Sequence, residues 1–192
     1  MMNSSRPLGL LAGLAVTLLF TISNDALAAG YGADPSQSRL EFTGVQAGAD
    51  FKGVFHKFTA AVDFSADALA SSHFDVQIDM SSEDSKDKDR DQTIKGPDVF
   101  DVAHNPTAHY VTKSISKTAG GYSAVGSLTL RGVTKDVPID FQFTQAGGGA
   151  KLEGSAKLKR LDFGVGQGEW KSTEMVNDSV KISFSLLLKP NT

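Results

Sequence analysis

Alternation of apolar and polar residues, repeated through almost the whole chain, is the feature that most restricts its fold. Val180, Ile182, Phe184, Leu186 and Leu188 fall on one side of an extended backbone, and Lys181, Ser183, Ser185 and Lys189 fall on the other. Successive side chains of a strand point to opposite faces, so such a segment is a strand with one buried face. Leu152, Gly154, Ala156 and Leu158 oppose Lys151, Glu153, Ser155, Lys157 and Lys159 in the same way. Val137, Ile139, Phe141 and Phe143 oppose Asp136, Asp140, Gln142 and Thr144, and Phe74, Val76, Ile78 and Met80 oppose His73, Asp75, Gln77 and Asp79. Weaker runs at 40–42, 51–55, 60–64, 109–116 and 121–130 bring the total to about eight or nine strands.

The connections carry turn chemistry: Gly120-Gly121, Arg131-Gly132 and Gly147-Gly148-Gly149. Short turns between long strands make sequence neighbours antiparallel, which is an up-and-down meander. One apolar face per strand requires a single interior. A closed barrel of about eight strands meets both conditions and leaves no exposed edge; a two-sheet sandwich would alternate similarly. The apolar faces include Gly53, Ala60, Ala124, Gly126, Gly154 and Ala156 beside twelve Phe in the chain. Small residues among large ones suit either a filled core or a lumen for one apolar ligand.

The first residues have the character of a targeting segment. Arg6 is followed by an apolar run at 8–22, and Ala26-Leu27-Ala28 supplies small residues for cleavage. This is the pattern of a secretory signal peptide over 1–28, with a mature domain over 29–192 in the periplasm or secreted, and no membrane anchor after cleavage. Arg6 and Asp25 leave together, so the mature chain keeps the net charge of −3, and no basic patch is interleaved with aromatics. Nucleic-acid binding is not expected from such a balance. The chain has no Cys, so an exported form is held by burial rather than disulfides, and thiolate chemistry is excluded.

Residues 87–110 break the alternation. Charged helix formers come first, and the 85–95 stretch reads as a surface helix, with Ser82 or Ser85 as N-cap, Ile94 as its apolar residue and Gly96-Pro97 as its stop. Asp87, Asp89 and Asp91 have calcium-loop spacing, but Gln92 stands where that loop needs Gly and Lys86, Lys88 and Arg90 balance the acids. Gly164, Gly166 and Gly168 lack the strand-to-helix context of a nucleotide loop and read as a flexible loop. Trp170 follows it, either as a rim residue or as a ligand-contacting lid. His56, His73, His104 and His109 have no ligand spacing, and no G-x-S-x-G elbow is present. Neither a metal, a cofactor nor catalysis is expected.

The order of motifs resembles the YceI-like family of exported, lipocalin-like bacterial proteins. The matching residues run from Tyr31 and Asp34-Pro35-Ser36-Gln37-Ser38-Arg39-Leu40-Glu41-Phe42 through Gly53-Val54-Phe55-His56-Lys57-Phe58. They continue with Pro97-Asp98-Val99-Phe100-Asp101 and with Gly126-Ser127-Leu128-Thr129-Leu130-Arg131-Gly132-Val133-Thr134-Lys135. Asp162-Phe163-Gly164-Val165-Gly166 closes the set, and Gly168-Glu169-Trp170 with Val176-Asn177-Asp178 is similar to the Trp-bearing branch. The resemblance implies an antiparallel barrel with one short helix across its side, enclosing an apolar channel for a polyisoprenoid such as a quinone or a prenyl phosphate. It also implies a homodimer.

The expectation is therefore a carrier, not an enzyme, for a long-chain polyisoprenoid or similar lipid. Phe42, Phe51, Phe55, Phe64, Phe74, Phe100, Tyr110, Phe141, Phe143, Phe163 and Trp170 are the residues expected to line or gate the channel. The competing reading is an enzyme acting on a small apolar substrate, with Glu41 or Asp162 as a buried base. A third is a filled barrel, for which Gly53, Gly126 and Gly154 would lie against bulky neighbours with no continuous cavity.

Overall fold

Eleven extended segments run through residues 29–191, the part of the chain that the structure, a computed structural model, describes. They are β1 (Ala29–Ala33), β2 (Arg39–Gln46), β3 (Ala49–Phe55), β4 (Phe58–Phe64), β5 (His73–Asp79), β6 (Glu83–Asp84), β7 (Thr107–Thr118), β8 (Gly121–Leu130), β9 (Val133–Ala146), β10 (Gly149–Lys159) and β11 (Ser179–Pro190). The signal-peptide expectation for 1–28 lies outside the described residues.

All pairings are antiparallel, in the order β1-β4-β5-β7-β8-β9-β10-β11-β2-β3-β6, with β1 also joined to β11. Closure comes from sharing one edge of β11. Residues 181–185 pair with β2, and 188–190 pair with β1. The eleven segments are thus eight strands of a closed meander, three of them broken. β1 and β2 are one strand interrupted at 34–38, where the Asp34 carboxylate accepts the Ser36 N–H at 3.0 Å and Pro35 cannot donate. β3 and β4 break at 56–57. β5 and β6 break at the 3-10 turn Met80–Ser82, capped by Asp79. Pairing is carried across the breaks, because the His56 N–H donates to Ser82 O and the Asp79 N–H to Lys57 O. The closed ladder removes the sandwich alternative.

Three hairpins turn in two residues with both φ values positive: Ala47 and Gly48, Arg131 and Gly132, Gly147 and Gly148. These mirror-image turns match the right-handed twist of the strands they join. Alternating connections gather at opposite ends. One end holds the 47–48 and 131–132 turns with the long connections 85–106 and 160–178. The other holds 65–72, 119–120 and 147–148.

The helix α1 (Lys88–Lys95) lies in the 85–106 connection, and Ile94 is its only buried residue. Its N-cap is Asp87, which accepts from the Asp89 and Arg90 N–H groups, rather than Ser82 or Ser85. Ser85 instead donates to the Asp91 carboxylate through both its N–H and its hydroxyl, at 2.8 and 2.6 Å. The Asp87 carboxylate satisfies two orphan N–H groups and its charge favours the helix N-terminus, so it takes the cap.

Candidate functional site

The inward residues of the eight strands do not fill the barrel evenly. At the end bearing the short turns, six rings stack into a floor. Phe64 lies 4.4 Å from Phe143, 4.9 Å from Tyr122 and 5.8 Å from Phe141, centroid to centroid. Phe74 packs edge-on against Phe141 at 5.1 Å, and Tyr31 against Phe143 at 5.7 Å. Edge and offset contacts of this kind are favourable beyond the area they bury.

Above that floor lies a cavity of about 500 Å³. Val62, Phe74, Leu152 and Leu186 form its deep wall; Phe55, Tyr110, Val137, Ile139 and Phe184 its middle; Gln46, Phe51, Arg90, Ile94, Trp170 and Asn177 its mouth. The mouth opens at the other end of the barrel, between the β2–β3 hairpin, α1 and the 160–178 connection.

Of the residues expected from sequence, Phe42, Phe51, Phe55, Phe74, Phe100, Tyr110 and Trp170 line the cavity. Phe64, Phe141 and Phe143 do not; they build the floor beneath it. Phe163 is 2% exposed and also off the cavity wall. It sits beside Val137, Pro138 and Leu158, where β9 and β10 part company beyond the Ile139–Ala156 pair. Phe58, Phe184 and Ile94 also line the cavity and were missing from the expected set. Phe58 begins its strand directly after a break, so the weak run at 60–64 did not extend to it.

Gly53, Gly126 and Gly154 do lie against bulky neighbours, as the filled-barrel reading required. A side chain at Gly53 would meet the Phe42 ring, one at Gly126 the Tyr110 ring and one at Gly154 the Phe184 ring. These glycines seat rings against the wall. The lumen nevertheless persists, since all three rings border the cavity rather than fill it.

Neither carboxylate suggested as a base reaches the cavity. Glu41 faces outward on β2 and is paired with Arg39 at 2.8 Å, which holds its carboxyl below the usual range. Asp162 is exposed. The buried acid is Glu83, which the sequence reading did not single out. Its side chain is 0% exposed, and neither carboxylate oxygen has a hydrogen-bond partner among the described residues. Burial, with the negative charges of Asp91 and Asp84, pushes it up to about 7, against the opposing pull of Lys95 at 3.9 Å. Glu83 stands behind Phe42, under α1, and is not on the cavity wall.

Arg160 is the second unanticipated group. It is 5% exposed and faces no carboxylate at hydrogen-bond distance. Its Nε donates to Asn177 O, Nη1 to Val165 O and Trp170 O, and Nη2 to Ser172 O and Val176 O, at 2.6–3.1 Å. The loop read as flexible is wound around this guanidinium. Gly166, at φ +110°, passes so close to Nη1 that no side chain fits. Arg160 occupies the inward phase set by Leu152, Ala156 and Leu158, a charge on an apolar stripe, and that signal was available in the sequence.

The cations at the mouth are therefore occupied. Arg90 lies 4.8 Å over the Phe51 ring, donates to Gln46 at 3.3 Å and is 3.5 Å from Asp87. Asp87 and Asp89 border the same opening. The four His lie away from the cavity wall; His56, His104 and His109 pair with Asp84, Asp101 and Asp75. An apolar tube closed by rings at one end suits an elongated apolar molecule entering tail first.

A model of the YceI-like domain matches residues 31–188. The chain belongs to the YceI-like family. This YceI-like chain is 30% identical over 164 residues to the "UPF0312 protein" of Yersinia pestis strain Pestoides F, covering 81% of this chain and 85% of that one. BcnA of Burkholderia cenocepacia has a crystal structure with TM-score 0.77 and 34% identity, over 81% of this chain and 98% of BcnA. A polyisoprenoid-binding domain from Saccharophagus degradans shares the fold at TM-score 0.62 and 12% identity, over 85% of this chain and 99% of that domain.

Proposed function

We propose that this YceI-like protein is an exported carrier that holds one long-chain polyisoprenoid with an uncharged headgroup, such as a quinone, inside its barrel. The observation that carries this reading is the cavity itself: apolar from floor to rim, closed by rings at one end and open at the other. The Saccharophagus degradans domain described as polyisoprenoid-binding has the same fold, which supports the ligand class. Burying an isoprenoid tail contributes roughly 3–4 kcal/mol per five-carbon unit, at about 0.8 per CH₂. Ordering and association costs offset much of that, so a few buried units suffice for tight binding.

The rim supports an uncharged head over a prenyl phosphate. A phosphate needs unpaired cations or N–H donors to replace its water. The two cations on the cavity wall among the described residues, Arg90 and Arg160, already have partners, and Asp87 and Asp89 would repel an anion. The N-terminal segment supports a periplasmic location, where such a carrier would move a membrane lipid through water.

Native mass spectrometry of protein purified from its own host, followed by lipid extraction, tests the reading. A co-purifying isoprenoid quinone or alcohol is expected. A ligand-free species that takes up no added quinone would sink it. The same spectra report whether the chain dimerises.

A further inference from the structure

Glu83 is the one fully buried acidic side chain among the described residues, and it faces the element that walls the cavity mouth. That element, α1, has few anchors. Ile94 is its only buried residue, Arg90 rests on Phe51, and Asp91 accepts from Ser85. Arg90 also donates to Gln46 at 3.3 Å, the Ile94 and Lys95 carbonyls accept from the Phe100 and Val102 N–H groups of the same connection, and Glu83 meets α1 through Lys95 at 3.9 Å and Asp91. Both Glu83 oxygens lack a hydrogen-bond partner. An ionised carboxylate so placed has lost its water without replacement, which is costly, whereas the neutral acid is far cheaper to bury.

We propose that α1 is a gate on the cavity mouth, latched shut by neutral Glu83 and released when Glu83 loses its proton. The groups facing Glu83 are Asp91 and Lys95 from α1 and Asp84 from its own strand; β2 contributes the Phe42 ring, and β3 the Gly53 backbone and Phe55, the cross-strand partner of Glu83. With α1 down, these surroundings hold Glu83 at about 7, well above the ordinary 4.5. With α1 swung out, water reaches the carboxyl and the ordinary value returns. The closed state thus binds the proton more tightly than the open one. By linkage, rising pH shifts the population toward open, about tenfold for each unit between the two values, and the rise levels off as pH passes through about 7. The effect is independent of which apolar ligand the barrel carries.

The test uses the full mature chain, with Glu83→Gln and Lys95→Met variants. Release of the uncharged dye N-phenyl-1-naphthylamine is followed from about pH 5 to about pH 8, alongside hydrogen-exchange protection factors of residues 88–95. In the wild type, release should quicken at least tenfold and protection should fall, with a midpoint near 7. Glu83→Gln should remain closed throughout. Lys95→Met should move the midpoint upward, a shift that a merely structural contact would not produce and that decides the matter if Glu83→Gln does not fold. Equal pH profiles in wild type and Glu83→Gln, a flat wild-type profile or an unmoved midpoint in Lys95→Met would overturn the gate. A dye that never binds counts against the carrier reading alone, since the exchange data still judge the helix.

Discussion

Two buried ionisable side chains show how single residues set the behaviour of this barrel. Arg160 satisfies five backbone carbonyls that would otherwise be orphaned, so its loss is felt across the whole 160–178 connection. Arg160→Met should lower stability by about 3 kcal/mol or more in urea unfolding, given roughly 1–3 kcal/mol for each stranded group. Arg160→Lys should not rescue it, because three donors on a point charge cannot span five acceptors. Glu83 acts on stability in the opposite sense. Its folded value of about 7 lies above the ordinary 4.5, so its contribution is fully present below the ordinary value and is lost as pH rises through 7. Asp34 and Asp84, held low by Lys189 and Lys86 respectively, lose stability only as pH falls below the usual carboxylate range. Urea midpoints at about pH 5 and about pH 8 should therefore differ in the wild type and converge in Glu83→Gln. Ala47 has φ +51° in a turn that favours Asn-Gly. Ala47→Asn should raise stability by about 0.5–1 kcal/mol, read from the same melts.

At the scale of elements, the breaks matter more than the strands. The period-2 pattern reads a strand as long as its phase is kept, and the 3-10 turn Met80–Ser82 shifts that phase. Glu83 consequently falls on the inward face, opposite Phe55, where continued alternation from Met80 would have placed position 82. The inward phase of Arg160 is therefore readable from unbroken alternation, whereas that of Glu83 is hidden by the turn. The separation of β9 and β10 has a readable cause. Pro138 stands just past the last pair, Ile139 with Ala156, and has no N–H to extend the ladder. Phe163 packs there, so Phe163→Ala should cost about 3–5 kcal/mol while leaving ligand affinity nearly unchanged. Phe55→Ala, on the cavity wall, should weaken binding measurably in titration calorimetry. A parallel loss of affinity in Phe163→Ala would return that residue to the ligand site.

For the whole molecule, closure of eight strands with an aromatic floor limits how much of a chain can be sheathed. Shortening the floor should lengthen the accepted ligand. Phe141→Ala opens space beneath Phe74 and should shift preference among quinones of graded tail length toward longer tails. An unchanged preference would mean that the floor does not set the limit. Bound ligand should also stabilise the fold, by about 2.7 kcal/mol at a hundredfold excess over Kd. Amino-acid order alone specifies the long strands, their antiparallel neighbours, the faces wherever alternation is unbroken and the surface helix with Ile94 beneath it. Those follow from local rules: side-chain period, turn chemistry and caps. That Phe74 and Tyr110 border a cavity while Phe64, Phe141 and Phe143 seal it depends on the folded arrangement. Periodicity tells which face a side chain takes, but not how far along the barrel axis it lies or which ring from another strand fills the space beside it. Depth and partnership arise only when strands distant in sequence are brought into register.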